Sequence, residues 1–259
     1  MKYILFDTET TGTTDDDRII QVGALVFDSD RQMTINNVPT SIFDIEFGCG
    51  VEKYDELCSS SREISLEAME VHHITPEMIN GRPEFVKTSF YKRLIDLNNE
   101  ENYLIAHNIK FDLSMLEKEG FVNKYKIIDT YKCALTIYKD VASCRLQHLR
   151  YALGLYKLEA KEAQNMNITI KAHDAIGDVL VMKLLLDDML KYKDFEELHQ
   201  ISLKPVLLDK FNFGKYKGCL IKQVCESDAG YIDWCVKTFF DNEDLMYSIN
   251  YYKSNFDNE

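Results

Sequence analysis

Two carboxylates stand two residues apart near the start of the chain, Asp7 and Glu9 in FDTETTG. In an extended strand, residues i and i+2 share a face, so these two side chains converge. Hard divalent cations take oxygen ligands and bind through a few carboxylates together with water and substrate phosphate. Alone, a DxE at a strand end reads first as a solvated turn. Asp112 follows in AHNIKFD, where a strand gives way to a helix. Asn108 is the residue type that caps such a helix, which leaves Asp112 in its first turns. A third stretch, HDAIGD, holds His173 and Asp178. Five residues apart, they lie about 140° off a common helical face. They converge only if His173 sits in the loop before the helix and Asp178 in its first turns, with Asp174 as the cap. Clustered carboxylates repel one another without a cation. Two divalent ions about 4 Å apart would neutralise them and build a phosphodiester displacement site, with His173 as general base on the attacking water.

Regular elements must position these groups. KYILFD reads as a strand and RIIQVGALVFD (18–28) as a longer one rich in Val and Ile, with TETTGTTDDD as the turn between them. SLEAMEVHHI predicts a helix, and Pro76 suits the first position of another. ENYLIAHN (101–108) predicts a strand, FDLSMLEKEGF a helix ending near Gly120, and KYKIID a short strand. Helices are expected around 130–139 and 143–153, the second stopped by Gly154. DAIGDVLVMKLLLDDMLKY carries apolar residues at helical spacing and predicts a long helix on the sheet. The alternation gives an α/β (α+β) fold, a mixed sheet flanked by helices.

The chain of 259 residues carries 30 basic and 43 acidic side chains, a net charge of −13. A polyanion is therefore not held by global charge, since phosphate neutralisation supplies most of such affinity. Nucleic acid would be engaged through bound metal or a local basic patch. From 201 to 224 there is one such patch: Lys204, Lys210, Lys215, Lys217 and Lys222 against Asp209 alone, net +4. The charge inversion places the carboxylate motifs in a domain over 1–193, followed by a linker over 194–209 and a small basic-then-acidic C-terminal domain over 210–259. Seven cysteines without a CxxC pair favour reduced thiols over a zinc or disulfide framework. No apolar run is long enough to span a bilayer, and the opening residues lack a signal-peptide pattern, so no membrane association and a cytoplasmic location are expected.

FDTETTG, AHNIKFD and HDAIGD resemble the three motifs of the DEDD exonuclease superfamily in its histidine-containing branch, DEDDh. VHHITPEMI (71–79) resembles the segment that precedes the second motif there. FNFGKYKGCLIKQVCESDAGYIDWCVK is similar to the C-terminal segment of the bacterial exodeoxyribonuclease X family, so the likeness covers nearly the whole chain. It implies a ribonuclease H-like fold and metal-dependent 3′→5′ removal of nucleoside 5′-monophosphates from DNA. Single-stranded ends are the expected substrate, and RNA stays open. Carried over by position, Asp7, Glu9 and Asp178 would hold the metal that activates water. Asp7 would bridge to a second ion, Asp112 would act mainly through its water shell, and His173 would be the general base. Two divalent cations are implied, Mg²⁺ or Mn²⁺, because oxygen ligands suit both. Backbone groups around Thr10, Thr11 and Gly12 would approach the terminal nucleotide.

Further substrate contacts are expected from Asn108, His72, Lys215 and Lys217, with packing against the sheet rim an equal role for His72. Tyr231 and Trp234, at helical spacing i, i+3, are expected in the core of the small domain. The segments 30–63 and His148 to His173 look longer than the family requires. An exoribonuclease or a polymerase proofreading subunit would share the same site. A non-catalytic scaffold would be expected to have lost one of the five motif residues.

Overall fold

The computed structural model describes residues 1–28, 51–169 and 174–254. His173, and most of the long 30–63 segment, lie outside the described residues. Packing divides the chain into two units, 1–199 and 200–259.

In the first unit a five-stranded mixed sheet has the order β3-β2-β1-β4-β5. Its strands are β1 (Lys2–Thr10), β2 (Ile19–Asp28), β3 (Glu52–Leu57), β4 (Tyr103–Ala106) and β5 (Lys126–Asp129). β1 pairs antiparallel with β2 and parallel with β4; β2–β3 is antiparallel and β4–β5 parallel. The helices are α1 (Leu66–His72), α2 (Pro76–Ile79), α3 (Ser89–Asp96), α4 (Ile109–Lys118), α5 (Thr130–Ile137), α6 (Leu146–Ala152), α7 (Tyr156–Met166), α8 (Ala175–Met189) and α9 (Phe195–Ser202).

Alternation along β1 sorts its residues between two faces. Ile4 and Phe6 join Val22, Ala24, Phe90, Leu94, Ile109 and Leu116 in one apolar layer beneath α3 and α4. The odd-numbered residues face the other way, toward α8. Gly23 shows why α8 lies so close: a Cβ there would stand 2.3 Å from the backbone of Ala175 and Ile176. Only a residue without a side chain allows this approach. α8 is buried along almost its whole length. Even Lys183 on it is 1% exposed, its ammonium paired with Glu162 at 3.3 Å and Asp187 at 3.1 Å.

β1 runs beyond the expected KYILFD to Thr10, and a bulge between Glu9 and Thr10 ends its regular pairing with β2. β3 has the charged, alternating sequence of a sheet edge, EKYDEL, with Lys53 and Asp55 exposed and the other four residues half-buried. α4 ends at the expected place, with Gly120 in a left-handed turn at φ +81°. Two capping expectations need correction. Asn108 precedes α4 but adopts φ 69°, ψ 51°, and its side chain makes no cap hydrogen bond. Asp174 precedes α8, yet its carboxylate accepts from the Gln21 side chain at 3.0 Å instead of capping the helix.

The second unit holds α10 (Ile221–Ser227), α11 (Ala229–Thr238) and α12 (Glu243–Ser254). Its core comprises Phe211, Ile221, Val224, Ile232, Cys235, Leu245 and Ile249. Trp234 is not part of it: the side chain is 45% exposed, tilted against Tyr231 and edge-on to Phe239. The helical face that enters the core is offset by one residue, to Ile232 and Cys235.

Candidate active site

β1 outruns its parallel neighbour. Leu5 pairs with Ile105, and β4 ends at Ala106, so β1 runs on past β4 where it carries Asp7 and Glu9. Across β2 the register places Asp7 beside Gly23 and Glu9 beside Gln21. Cross-strand partners share a face, so both carboxylates project to the side where α8 sits on Gly23. Asp178, in the first turns of α8, meets them there. One ligand oxygen from each of Asp7, Glu9 and Asp178 lies within 4.8 Å of the others.

Asp112 reaches the same strand end from the opposite layer. It sits in the first turn of α4, 3% exposed, and accepts a hydrogen bond from the Thr8 hydroxyl at 2.7 Å. Thr8 is the residue between Asp7 and Glu9, so one strand segment presents two carboxylates to one face and braces a third acid on the other.

The electrostatics are those of crowded acids. Burial, and then Asp112, Glu9 and Asp178, push Asp7 well above the usual carboxylate range. Glu9 is pushed up to about 8 by burial and by Asp178, Asp112 and Asp174. Asp112 is raised to about 7, chiefly by burial, although its hydrogen bond from Thr8 opposes the shift. Among the described residues, neither Asp7 nor Glu9 forms an ion pair. Anions held this close in a poorly solvated place call for a cation, and an all-oxygen donor set fits a hard divalent ion.

The loop after β1 is built from within. Thr11 and Thr14 hydroxyls both donate to Asp17 at 2.7 Å, and the Thr10 hydroxyl donates to the Gly12 carbonyl at 2.6 Å. A Cβ on Gly12 would meet the Asp17 carboxylate at 2.7 Å, so the loop closes only around glycine. The side chains of Thr10 and Thr11 are thus turned inward.

His72 is buried as well. Its Nδ1 accepts from the Ile74 amide at 2.9 Å, which leaves the proton on Nε2 to donate to the Thr10 carbonyl at 3.2 Å. It braces the loop, and burial lowers its pKa. Asn108 is exposed, and its amide N–H donates to Asp129 at 3.0 Å. In the second unit, Lys215 pairs with Asp228 at 2.8 Å over the rings of Tyr216 and Tyr231, whereas Lys217 is exposed.

Three supporting residues escaped sequence reasoning. Gln21 donates its amide both to Asp174 at 3.0 Å and to Asp55 at 3.1 Å. Its signal was available, as the lone polar residue in the apolar run Ile19–Phe27. His107 lies at the end of β4, with Nε2 on the Cys144 carbonyl and Nδ1 on the Thr130 hydroxyl. Burial takes it down to about 4, so it is a neutral brace. Gln147 donates to Asp178 at 2.5 Å, and nothing in its local sequence marks it.

A family profile described as "Exonuclease" matches residues 4–186, the span that carries all of these acids. The chain belongs to the exonuclease family. A second profile, "Exodeoxyribonuclease X-like C-terminal", matches residues 211–239. Exodeoxyribonuclease 10 of Escherichia coli is 29% identical over 209 residues, covering 78% of this chain and 83% of that protein. DNA polymerase III subunit epsilon of Treponema pallidum is 31% identical over 172 residues, covering 63% of this chain and 70% of that one. Among solved structures, Exonuclease X in complex with 5′ overhanging duplex DNA superposes with a TM-score of 0.50 at 19% identity, covering 77% of this chain and 99% of that one. Exonuclease I from Methylocaldum szegediense gives 0.51 at 18% identity, covering 78% and 42%. These likenesses bear out the ribonuclease H-like mixed sheet, and exonucleases of this family depend on divalent metal.

Proposed function

We propose that this exonuclease is a 3′→5′ exodeoxyribonuclease that releases nucleoside 5′-monophosphates from DNA ends. The observation that carries the reading is the convergence of Asp7, Glu9 and Asp178 at the strand end, with the Asp112 carboxylate close enough to raise Asp7 and Glu9. Asp7, Glu9 and Asp178 would hold a divalent cation, with Asp7 and Asp112 serving a second. Such ions neutralise the carboxylates and stabilise the charge that develops on the transferring phosphate.

The chain's own groups do the rest. His173, the motif histidine, takes a proton from the attacking water as its oxygen bonds to the terminal phosphorus. The bond from phosphorus to the 3′-oxygen of the penultimate nucleotide breaks, and that oxygen ends protonated as a new 3′-hydroxyl. The anchor between Gln21 and Asp174 fixes the chain immediately after His173. Backbone groups of Thr10 to Gly12, on a loop braced by His72 and Asp17, and the exposed Asn108 would contact the terminal nucleotide. Support for DNA comes from the names of the relatives, an exodeoxyribonuclease and a DNA polymerase subunit, and from the exodeoxyribonuclease X-like tail. With a net charge of −13, the protein would grip DNA at its end through metal, with Lys217 and its neighbours as a secondary contact.

The test is digestion of 5′-labelled single-stranded DNA and RNA of one sequence, with Mg²⁺ or with chelator. A metal-dependent ladder that shortens from the 3′ end, faster on DNA, is the expected result. Faster loss of RNA would overturn the substrate and leave the site; no ladder on either would overturn the activity.

A further inference from the structure

Asp178 does not stand alone on α8. Gln147, from the first turn of α6, donates its side-chain N–H to Asp178 Oδ1 at 2.5 Å. The other end of the same amide is also held: Arg150 Nη1 donates to Gln147 Oε1 at 3.1 Å. Arg150 is itself clamped by Glu159 of α7, with Nε and Nη2 each 2.5 Å from a carboxylate oxygen. Glu159 is 4% exposed, so the clamp is a buried, bidentate ion pair.

The chemistry of this chain of contacts fixes its direction. A guanidinium offers only donors and a carboxylate only acceptors. The amide between them satisfies both in one orientation, with oxygen toward Arg150 and nitrogen toward Asp178. The Arg150–Glu159 pair therefore locks the Gln147 amide, and the amide locks the carboxylate. Gln147 is also the neutral member. An arginine in direct contact with Asp178 would compete with a cation for its charge, whereas an amide orients the carboxylate and leaves its charge in place.

We propose that Gln147 is a positioning residue for the metal centre, transmitting the rigid Arg150–Glu159 clamp of α6 and α7 to Asp178. This rests on the reading of Asp178 as a metal-holding residue. It assigns a purpose to the long stretch between His148 and His173, which builds α7 and with it Glu159. Partners that orient metal-holding side chains contribute about 10- to 100-fold in metal affinity or activity.

The test is Gln147→Met, similar in length and without a donor, compared with the parent chain by three measurements. These are Mn²⁺ titration by calorimetry, turnover of a 5′-labelled oligonucleotide at saturating Mn²⁺, and thermal unfolding without metal. Mn²⁺ affinity should fall about tenfold or more, turnover should fall with KM for the oligonucleotide unchanged, and the metal-free Tm should stay close to the parent's. Should the methionine chain fail to fold, Gln147→Asn, whose amide is one methylene short, must also bind Mn²⁺ more weakly. Parent-like Mn²⁺ affinity and turnover in the folded variant would overturn the proposal. A lowered metal-free Tm with parent-like affinity would overturn it too, assigning Gln147 to packing alone. A parent chain that binds no Mn²⁺ would overturn the reading of the site itself and this inference with it.

Discussion

At the scale of single residues, function and stability pull in opposite directions. The acids that would hold metal are a burden on the empty site, and the burden depends on pH. Without metal, Glu9 keeps its proton up to about 8 and Asp112 up to about 7, far above the roughly 4 of unfolded carboxylates. Over that interval the folded state binds more protons than the unfolded one, so stability falls as pH rises. His107 and His72, whose pKa values are lowered, act in the opposite sense, but only below about 6.5, where unfolded histidine titrates. Between pH 6.5 and 8 the metal-free Tm should therefore decline, and Mg²⁺ should raise it by more at pH 8 than at 6.5, because binding displaces those protons. A Tm that climbs across this window would refute the burial of ionisable acids at the site. For catalysis, His173→Ala should lower turnover by about 10²- to 10⁴-fold, the usual scale for a general base. Asp7→Ala should do at least as much harm. Near-normal rates in either purified variant would remove that residue from the mechanism.

At the scale of elements, what the sequence made legible followed from periodicity and from breakers. β2 and α8 are long, apolar and bounded by clear signals, and each falls where its pattern predicts, while β1 starts as expected and runs on to Thr10. β3 was hidden because an edge strand carries charges on both faces, and EKYDEL looks like solvated loop until its pairing with β2 is known. α7 shows in the sequence only as extra length, since YKLEAKEAQNM is a mostly polar helix whose purpose, Glu159, is fixed by tertiary contact. The motif acids were legible because strand periodicity and helix starts place them. Gln147 and His107 were not, because a hydrogen bond between distant segments leaves no local signature. One tight joint is Gly23 beneath α8. Gly23→Ala would force the N-terminus of α8 off the sheet, costing about 1 to 3 kcal/mol as overpacking does. It would also displace Asp178, and a misplacement of about 1 Å can cost roughly 10²-fold in rate. Urea unfolding and oligonucleotide turnover would both report it; parent-like values in both would show that α8 has slack there.

At the scale of the whole molecule, the chain is acidic with one basic stretch, and that stretch belongs to a unit with its own apolar core. Lys215 is largely spent on Asp228, so Lys217 and the remaining lysines carry whatever phosphate binding occurs there. Ending the chain before Lys204 leaves α9 complete and should weaken DNA binding and flatten its dependence on salt, while hydrolysis of short oligonucleotides persists. Equal salt slopes for the full and shortened chains would show that the lysines touch no phosphate.

The strand order also governs how the protein is made. The Lys2 amide donates to Asn102, one hundred positions onward, and β1 cannot gain its parallel neighbour until β4 has been synthesised. Such distant pairings form late, because the loop entropy must be overcome first. Asp7 and Glu9 therefore spend the early life of the nascent chain apart from Asp178, and meet its charge only when α8 docks. A divalent cation would enter at that moment, so that docking α8 on the sheet and completing the site become a single event.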